Sequence, residues 1–167
     1  MAKLWAKGYE LDAVVEKFTV GEDYRLDMDL LRWDCLGSMA HAAMLNKIGV
    51  LSDEEAAVLR DRLNRIIALY EAGEFAIRPE DEDVHTAIEG DLIQNLGDVG
   101  KKLHTARSRN DQVILDLRLY MRDRLLAMTD AACDMAETLI EFAEQHKEVP
   151  LVGRTHFQRA MPSSVGL

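Results

Sequence analysis

The sequence predicts an all-α protein, with a small N-terminal helical domain followed by the first long helix of a central helix bundle. In two stretches apolar residues recur every three or four positions, the spacing of one face of an α-helix. Only three prolines occur in 167 residues, and each lies at a boundary between predicted elements. No alternation of apolar and polar residues, the pattern of a half-buried strand, persists beyond a few positions. We therefore expect residues 1–110 to form the helical domain and residues 111–167 to begin the bundle.

Two helices joined by a short turn are predicted first. The first covers residues 27–48, and Gly49 is well placed to end it, because glycine readily adopts the left-handed conformation that follows a helix. Ser52 and Glu55 have the S-x-x-E spacing of a capping box and predict the start of the second helix, which ends at Gly73. Its apolar stripe consists of Ala56, Leu59, Leu63, Ile66 and Tyr70. The two helices form a helical hairpin.

A loop over residues 75–82 leads to a third helix at about residues 83–96. The longest element is predicted over residues 112–146, a stretch without glycine or proline. Its apolar residues step by three and four, close to the 3.5-residue period of supercoiled helices. They are Leu117, Met121, Leu125, Met128, Ala132, Met135, Leu139 and Phe142. Such a helix is on the order of 50 Å long and buries its stripe only against other long helices. A further helix is expected to begin near Leu167.

Composition narrows the class of protein. The net charge of −10 argues against a nucleic-acid partner, because phosphate binding needs a net basic face. Cys35 and Cys133 have neither metal-ligand spacing nor a secretory context, so we expect two reduced, buried thiols. The first residues lack the apolar segment of a signal peptide, and no apolar stretch approaches the roughly 20 residues of a membrane span. A cytoplasmic protein without membrane contact is expected.

The stretch from Leu103 to Gln112 is the most informative for function. Besides Gln112, it contains seven polar residues: His104, Thr105, Arg107, Ser108, Arg109, Asn110 and Asp111. Arginine presents a planar fork of donors that binds carboxylates two bonds at a time. Arg109 and Asn110, with Ser108 beside them, are therefore candidate carboxylate-binding residues. The alternative is a solvated loop that caps the long helix, and Asp111 is expected to be that helix's N-cap.

Two further polar segments accompany this loop, EDEDVHTAIEGDL at residues 80–92 and VGRTHFQRAMP at residues 152–162. Together with GKKLHTARSRND they resemble the argininosuccinate lyases, members of the aspartase/fumarase superfamily. The string H-T-x-R-S-R-N-D is specific, and so is its pairing with a later T-H-x-Q-x-A-x-P. The chain departs from the family at Ala106, where a glycine is common, and near Gly21, where a serine is found.

The resemblance implies a carbon–nitrogen lyase of arginine biosynthesis, which cleaves argininosuccinate to arginine and fumarate by β-elimination without a cofactor. It also implies a cytoplasmic homotetramer. The resemblance covers the N-terminal part of a longer enzyme, so we expect the chain alone to be inactive. In the superfamily the C–H proton is usually removed by a serine in a later G-S-S-x-M-P motif, which this sequence lacks. Ser163 and Ser164 follow Pro162 in a different context.

Residue roles are also implied by the resemblance. His156 matches the acid/base histidine, and Thr155 and Gln158 beside it are expected to bind the substrate's polar groups. Asp83, His85 and Thr86 are expected to line the substrate pocket, where a carboxylate could meet the guanidinium of the substrate. No metal site is expected at His85, because no second His or Cys has ligand spacing near it. Arg107 has an equal claim to an intersubunit salt bridge.

Three alternatives stay open at this point. One is a noncatalytic structural protein on the same scaffold, as in the lens crystallins derived from this family. Another is an enzyme like adenylosuccinate lyase, which would need a phosphate site. The third is a freestanding helical interaction module.

Overall fold

The computed structural model describes Val15, Phe18 and residues 21–167. The helices are α1 (Asp23–Leu26), α2 (Leu31–Lys47), α3 (Asp53–Glu71), α4 (Val84–Leu96), α5 (Asp98–Lys102) and α6 (Arg109–His146). Short 3-10 helices lie at Asp27–Asp29 and Pro79–Asp81, and two strands follow α6, β1 (Pro150–Thr155) and β2 (Gln158–Ser164). The predicted all-α class is confirmed, with a two-stranded hairpin added to it.

The chain divides into two compact units, Met1–Met121 and Arg122–Leu167. The division falls inside α6, so this helix contributes residues to both. The predicted boundary near residue 110, between the helical domain and the start of the helix bundle, stays a prediction.

The predicted helical hairpin in the first unit is confirmed. Gly49 has φ +80° at the end of α2, a conformation that glycine adopts without steric cost. The capping box at the start of α3 is complete, because Glu55 N donates to Ser52 Oγ at 3.2 Å and Ser52 N donates to Glu55 Oε2 at 3.0 Å. Local sequence signals therefore determine both ends of this turn.

The core of the first unit lies between α2, α3 and α4. Three of the five predicted stripe residues of α3, Leu59, Leu63 and Ile66, are fully buried, and Ala56 and Tyr70 pack partly buried against the core. The facing residues come from the neighbouring elements: Leu31, Cys35, Ala42, Leu45, Val84, Ile88, Leu92 and Leu103. Of the two cysteines only Cys35 is buried, so the expectation of a buried thiol is wrong for Cys133, which is exposed on α6.

Ion pairs and one close backbone contact hold α3, α4 and α5 together. Arg62 donates to both carboxylate oxygens of Asp91, at 2.7 and 2.6 Å. Lys102 pairs with Glu55 at 2.5 Å. Gly100 lies inside α5 and packs so closely on α4 that a Cβ there would lie 2.6 Å from the backbone of Leu92. A glycine is therefore required for packing at this position.

The second unit ends in two strands, which the sequence analysis did not predict. β1 and β2 pair antiparallel from Pro150↔Ser164 to Thr155↔Gln158, with an irregularity between Val152 and Arg154. The two strands are joined by a two-residue turn. That a further helix begins near Leu167 stays a prediction.

The predicted apolar stripe of α6 is exposed, as expected for a helix that the described residues do not cover. Its members Met121, Leu125, Met128 and Met135 are 56–68% exposed. Among the described residues, no helix is both long and apolar enough to cross a membrane.

Candidate functional site

Arg109, the first residue of α6, joins two of the predicted site segments. Its Nη1 donates to Asp83 Oδ2 at 2.6 Å, and its Nη2 donates to Thr86 Oγ1 at 3.0 Å. Asp83 is the N-cap of α4, and its other oxygen accepts from Thr86 N at 2.7 Å. We call Arg109, Asp83 and Thr86 the arginine clamp. The Arg109 and Asp83 side chains are about a third exposed, so the clamp is open to a ligand from solvent.

Ser108 and Asp111 organise the start of α6 beside this clamp. Ser108 Oγ accepts from Asn110 N at 3.2 Å, and Asp111 Oδ2 accepts from Ser108 N at 3.2 Å. This reciprocal pair has the form of a capping box in which Ser108 precedes the helix, so the expected N-cap at Asp111 is wrong by three positions. The Ser108 and Asn110 residues are exposed at the N-terminus of a 38-residue helix. That end of a helix favours anions, because its first N–H groups point outward.

Behind the clamp lies a buried charge cluster, formed by Asp34, His85, Arg107 and Asp116. His85 Nδ1 donates to Asp34 Oδ2 at 2.5 Å and lies 3.9 Å from Asp116 Oδ2. Arg107 Nη1 donates to Ser38 Oγ at 2.9 Å, and Ser38 Oγ donates to Asp34 Oδ1 at 2.8 Å. Asp34, His85 and Asp116 are each at most 5% exposed. Four ionisable groups from three helices and one loop therefore share one buried site.

The cluster shifts the protonation of its members in opposite directions. Burial and the negative charge of Asp34 raise the pKa of Asp116 to about 7. Burial is the largest effect on His85 and would lower its pKa, but the hydrogen bond to Asp34 and the nearby carboxylate charges together outweigh it, and the pKa is raised. Burial is likewise the largest effect on Asp34, but its hydrogen bonds to His85 and Ser38, with the charges of His85 and Arg107, together outweigh it and lower the pKa. The His85 imidazole and the Arg107 guanidinium thus face two carboxyl groups, of which Asp116 is partly protonated at neutral pH.

The structure brings together a donor set that could in principle hold a metal ion. One ligand atom each from Asp34, His85 and Asp116 lie within 4.8 Å of one another. The charge of the set is, however, already compensated by the His85–Asp34 hydrogen bond and by Arg107. The sequence argument against a metal at His85 considered only neighbours along the chain, so it could not include Asp34 and Asp116.

A cavity adjoins the cluster, lined among others by Ser38, His104 and Gln112. Its volume of about 20 Å³ is on the order of that of a single water molecule. A cavity of this size is too small for an organic ligand. The exposed clamp, in contrast, is open to solvent.

The remaining predicted site residues lie in the second unit, at the turn of the hairpin. Thr155 ends β1, Gln158 begins β2, and His156 and Phe157 form the turn between them. His156 is exposed and has φ +48°, and Phe157 has φ +61°. Two-residue hairpin turns with both φ values positive favour Asn-Gly, so the His-Phe pair is an unusual choice for this conformation.

Left-handed backbone accompanies each predicted site segment. The described non-glycine residues with positive φ are Glu82, Ala106, His156 and Phe157. Glu82 precedes Asp83, Ala106 lies three residues before Arg109, and His156 is itself a predicted site residue. Such conformations cost on the order of 1–2 kcal/mol and concentrate at functional sites.

His85 was expected to line the pocket. Its side chain is 5% exposed and hydrogen-bonded to Asp34, so it does not reach the surface itself. Asp83 and Thr86, close to it along the chain, lie at the exposed clamp. Asp34, Ser38 and Asp116 were not predicted. A signal for the first two was present, since they lie four residues apart on a helix face that otherwise buries Leu31, Cys35 and Leu45. Polar residues in an apolar stripe require partners, which is a reason to look for them.

Comparison with known proteins identifies the family of this chain. A family model described as lyase matches residues 7–167. Argininosuccinate lyase of Thermotoga neapolitana is 47% identical over 161 residues, which are 96% of this chain and 40% of that protein. Argininosuccinate lyase of Bacteroides fragilis is 48% identical over 99% of this chain and 37% of its own length. The chain thus spans about 40% of the length of the curated relatives it matches.

Solved structures share the fold. A variant of EDDS lyase with bound fumarate superposes with a TM-score of 0.68 and 25% identity, over 96% of this chain and 31% of that one. The β-carboxy-cis,cis-muconate cycloisomerase of Acinetobacter calcoaceticus has a TM-score of 0.61 at 21% identity, over 89% of this chain and 36% of that one. The fold is that of the aspartase/fumarase superfamily. The chain belongs to its lyase family.

Proposed function

We propose that this chain is the N-terminal part of an argininosuccinate lyase that cleaves argininosuccinate to arginine and fumarate. The observation that carries the proposal is the arginine clamp, which unites Arg109, Asp83 and Thr86 beside the N-terminus of α6. The names of relatives at 47–48% identity support it.

The clamp suits a substrate that carries both charges. Argininosuccinate has a guanidinium and three carboxylates, so it can replace the Arg109–Asp83 ion pair with two new ones. A substrate carboxylate takes the two-pronged site on Arg109, and the Asp83 carboxylate then pairs with the substrate guanidinium. Ser108 and Asn110 add donors at the helix terminus, where the dipole favours the incoming anion. His85 is buried behind this pocket and supports it, because it holds the N-terminal turn of α4 on which Asp83 and Thr86 lie.

The elimination itself requires two proton transfers. The superfamily's serine, in the part of the enzyme beyond this sequence, takes the proton from the carbon beside a carboxylate. The electron pair of that C–H bond forms the C=C bond of fumarate as the neighbouring C–N bond breaks, and the departing guanidino nitrogen takes up a proton. His156 serves as the acid/base group of this exchange, and its exposed place at a hairpin turn allows an imidazole to reach a bound ligand. Thr155 and Gln158 flank it and hold the substrate's polar groups. A positioned acid/base contributes about 10²–10⁴-fold in rate.

The exposed stripe of α6 supports assembly into a homotetramer built around a helix bundle. Monomeric proteins rarely expose apolar patches beyond a few hundred Å². A cytoplasmic location fits a biosynthetic enzyme of this class.

The test is a chimera in which this chain replaces the matching segment of the Thermotoga neapolitana relative. Fumarate release, followed by ultraviolet absorbance, measures the activity. We expect the chimera to be active, and His156→Asn to lower kcat by about 10²-fold or more with little change in KM. His146→Asn, at a histidine outside the predicted site segments, is the matched control. A folded, tetrameric chimera without activity would favour a crystallin-like structural protein.

Arg109→Lys tests the binding half of the proposal in the same chimera. An ammonium cannot reproduce a two-pronged grip on a carboxylate, so KM for argininosuccinate should rise about tenfold or more. Arg118→Lys, on an exposed part of α6, is the control. An unchanged KM would remove Arg109 from the substrate site.

A further inference from the structure

We propose that Arg107 is a positioning residue, which ties the loop before α6 to α2 and so sets the direction in which Arg109 and Asn110 face the ligand. This inference rests on the proposed function of Arg109 and Asn110. It departs from the reading of Arg107 as a residue of an intersubunit salt bridge, because its guanidinium is directed into the first unit.

The contacts of Arg107 form a chain into the interior. Its Nη1 donates to Ser38 Oγ at 2.9 Å, and that hydroxyl donates to Asp34 Oδ1 at 2.8 Å. The other oxygen of Asp34 accepts from His85, which directly precedes Thr86 of the arginine clamp. The same hydrogen-bonded chain thus joins the loop, α2 and the N-terminal turn of α4, and both partners of Arg109 lie on that turn.

Charge explains why an arginine stands there. Burial lowers the pKa of Arg107, while the Asp34 and Asp116 carboxylates act to raise it. Removal of the guanidinium would leave Asp34 and Asp116 near each other with His85 alone to compensate them. A buried carboxylate without a compensating charge is costly. The attraction between the Arg107 guanidinium and these carboxylates therefore holds the loop in its place beside the cluster.

A second tie secures the other end of the loop. His41 Nε2 lies 3.0 Å from the carbonyl oxygen of Thr105. His41 and Ser38 are three residues apart and lie on one face of α2. Between the two ties Ala106 has φ +55°, a conformation that a side chain disfavours and that the surrounding contacts must maintain.

The position of Arg109 depends on this arrangement. Arg107 and Arg109 are two residues apart at the start of a helix, so they point to different sides, one inward and one toward the clamp. Misplacement of a binding group by about 1 Å can cost on the order of 10²-fold in activity. Arg107 therefore acts on the ligand through Arg109 and Asn110, without touching it.

The test uses the 167-residue chain labelled with ¹⁵N, with Arg107→Lys as the main variant and Ser38→Ala as a milder one. We call the hydrogen-bonded tie from Arg107 to α2 the anchor. Two readouts report on it: the Nε–Hε signal of Arg109 and amide hydrogen exchange at Asn110 and Asp111. We expect Arg107→Lys to shift the Arg109 signal and to speed exchange at both amides by about tenfold, with exchange in α3 unchanged. Ser38→Ala should act in the same direction with a smaller effect, and Arg65→Lys on the exposed side of α3 should have none.

The anchor is overturned if the Arg109 signal and the two amides do not change, or if exchange rises equally in α3, since the latter shows a loss of global stability. The activity of the chimera separates the two proposals. If Arg107→Lys also raises KM there with kcat nearly unchanged, the anchor serves ligand binding. If the chimera with the unaltered chain is inactive while the loop responds as expected, the anchor stands and the proposed lyase activity fails.

Discussion

Arg107 and Arg109 are the same residue type, two positions apart, in opposite surroundings. Arg107 faces the buried charge cluster and a serine of α2, whereas Arg109 holds Asp83 and Thr86 at a surface that is about a third exposed. The comparison shows that one short motif can supply both an internal tie and an external binding group. Residue type alone does not distinguish these two roles. The environment of each guanidinium distinguishes them.

The surroundings of Arg107 and Arg109 also predict different contributions to the free energy of unfolding. An ion pair near the surface is weakened by water and contributes little to stability. A buried charge that loses its partner is costly, because no water replaces the lost interaction. The inner arginine should therefore matter most for stability and the outer one for ligand binding.

The largest expected effect is that of Arg107→Met compared with Arg109→Met. We expect the first to lower the free energy of unfolding by about 3–5 kcal/mol, because it leaves Asp34 and Asp116 uncompensated. The second should cost about 1 kcal/mol or less. Urea denaturation of the chain, followed by circular dichroism, measures both. Equal losses would show that the two arginines do not differ in the way the structure indicates.

The second prediction concerns the pH dependence of the buried charge cluster. The pKa of Asp116 is about 7 in the folded chain against an ordinary value of 3.8, so the folded state binds the proton more tightly. The stability this provides is complete below about pH 4 and is lost as the pH rises through 7. The raised pKa of His85 acts in the same direction above its ordinary value of 6.5. Between pH 5 and pH 8 the free energy of unfolding should fall by on the order of 2–3 kcal/mol.

Asp116→Asn is the variant that tests this origin, because it keeps the size of the side chain and removes its titration. Its stability should vary much less between pH 5 and pH 8 than that of the unaltered chain. Asp61→Asn, at an exposed position of α3, should retain the full dependence. A variant curve parallel to that of the unaltered chain would assign the pH effect to other groups.

The fold was largely predictable from sequence where the signals are local. The capping box of Ser52 and the stripe of α3 depend on residues within a turn or two of each other, and both are confirmed. The hairpin was missed because its turn consists of His156 and Phe157, and neither is a usual residue for a positive φ.

The candidate site was predictable only in its outer half. The family motif pointed to Arg109, Asp83 and Thr86, and the structure brings these three together. The inner half depends on pairs that are distant along the chain, such as His85 with Asp34, 51 residues apart, and Arg107 with Ser38, 69 residues apart. No local spacing encodes such pairs, so they emerge only once the helices are packed.

Gly100→Ala examines whether the inner cluster depends on the packing of α5 against α4. A Cβ at this position would lie 2.6 Å from the Leu92 carbonyl group, which is backbone and cannot rotate away. We expect a loss of about 1–3 kcal/mol, as for other overpacked sites, measured by urea denaturation. Val99→Ala, next to it on α5, is a comparison that removes atoms without adding a clash. An unchanged free energy of unfolding in Gly100→Ala would mean that α4 and α5 can move apart without disturbing the loop before α6.

The smallest expected effect is a gain, from Ala106→Gly in the loop that carries both arginines. Ala106 has φ +55°, and glycine adopts this conformation without the steric cost that alanine bears. The greater freedom of glycine in the unfolded chain offsets part of the gain, so we expect a net stabilisation of about 0.5–1 kcal/mol. Ala43→Gly is the matched control, since Ala43 is exposed inside α2, where glycine should cost about 0.5–1 kcal/mol. The same substitution is thus expected to have opposite signs at the two sites, which thermal unfolding can resolve. If Ala106→Gly destabilises the chain, the left-handed residue is not a source of strain, and the two ties on α2 hold the loop at no conformational cost.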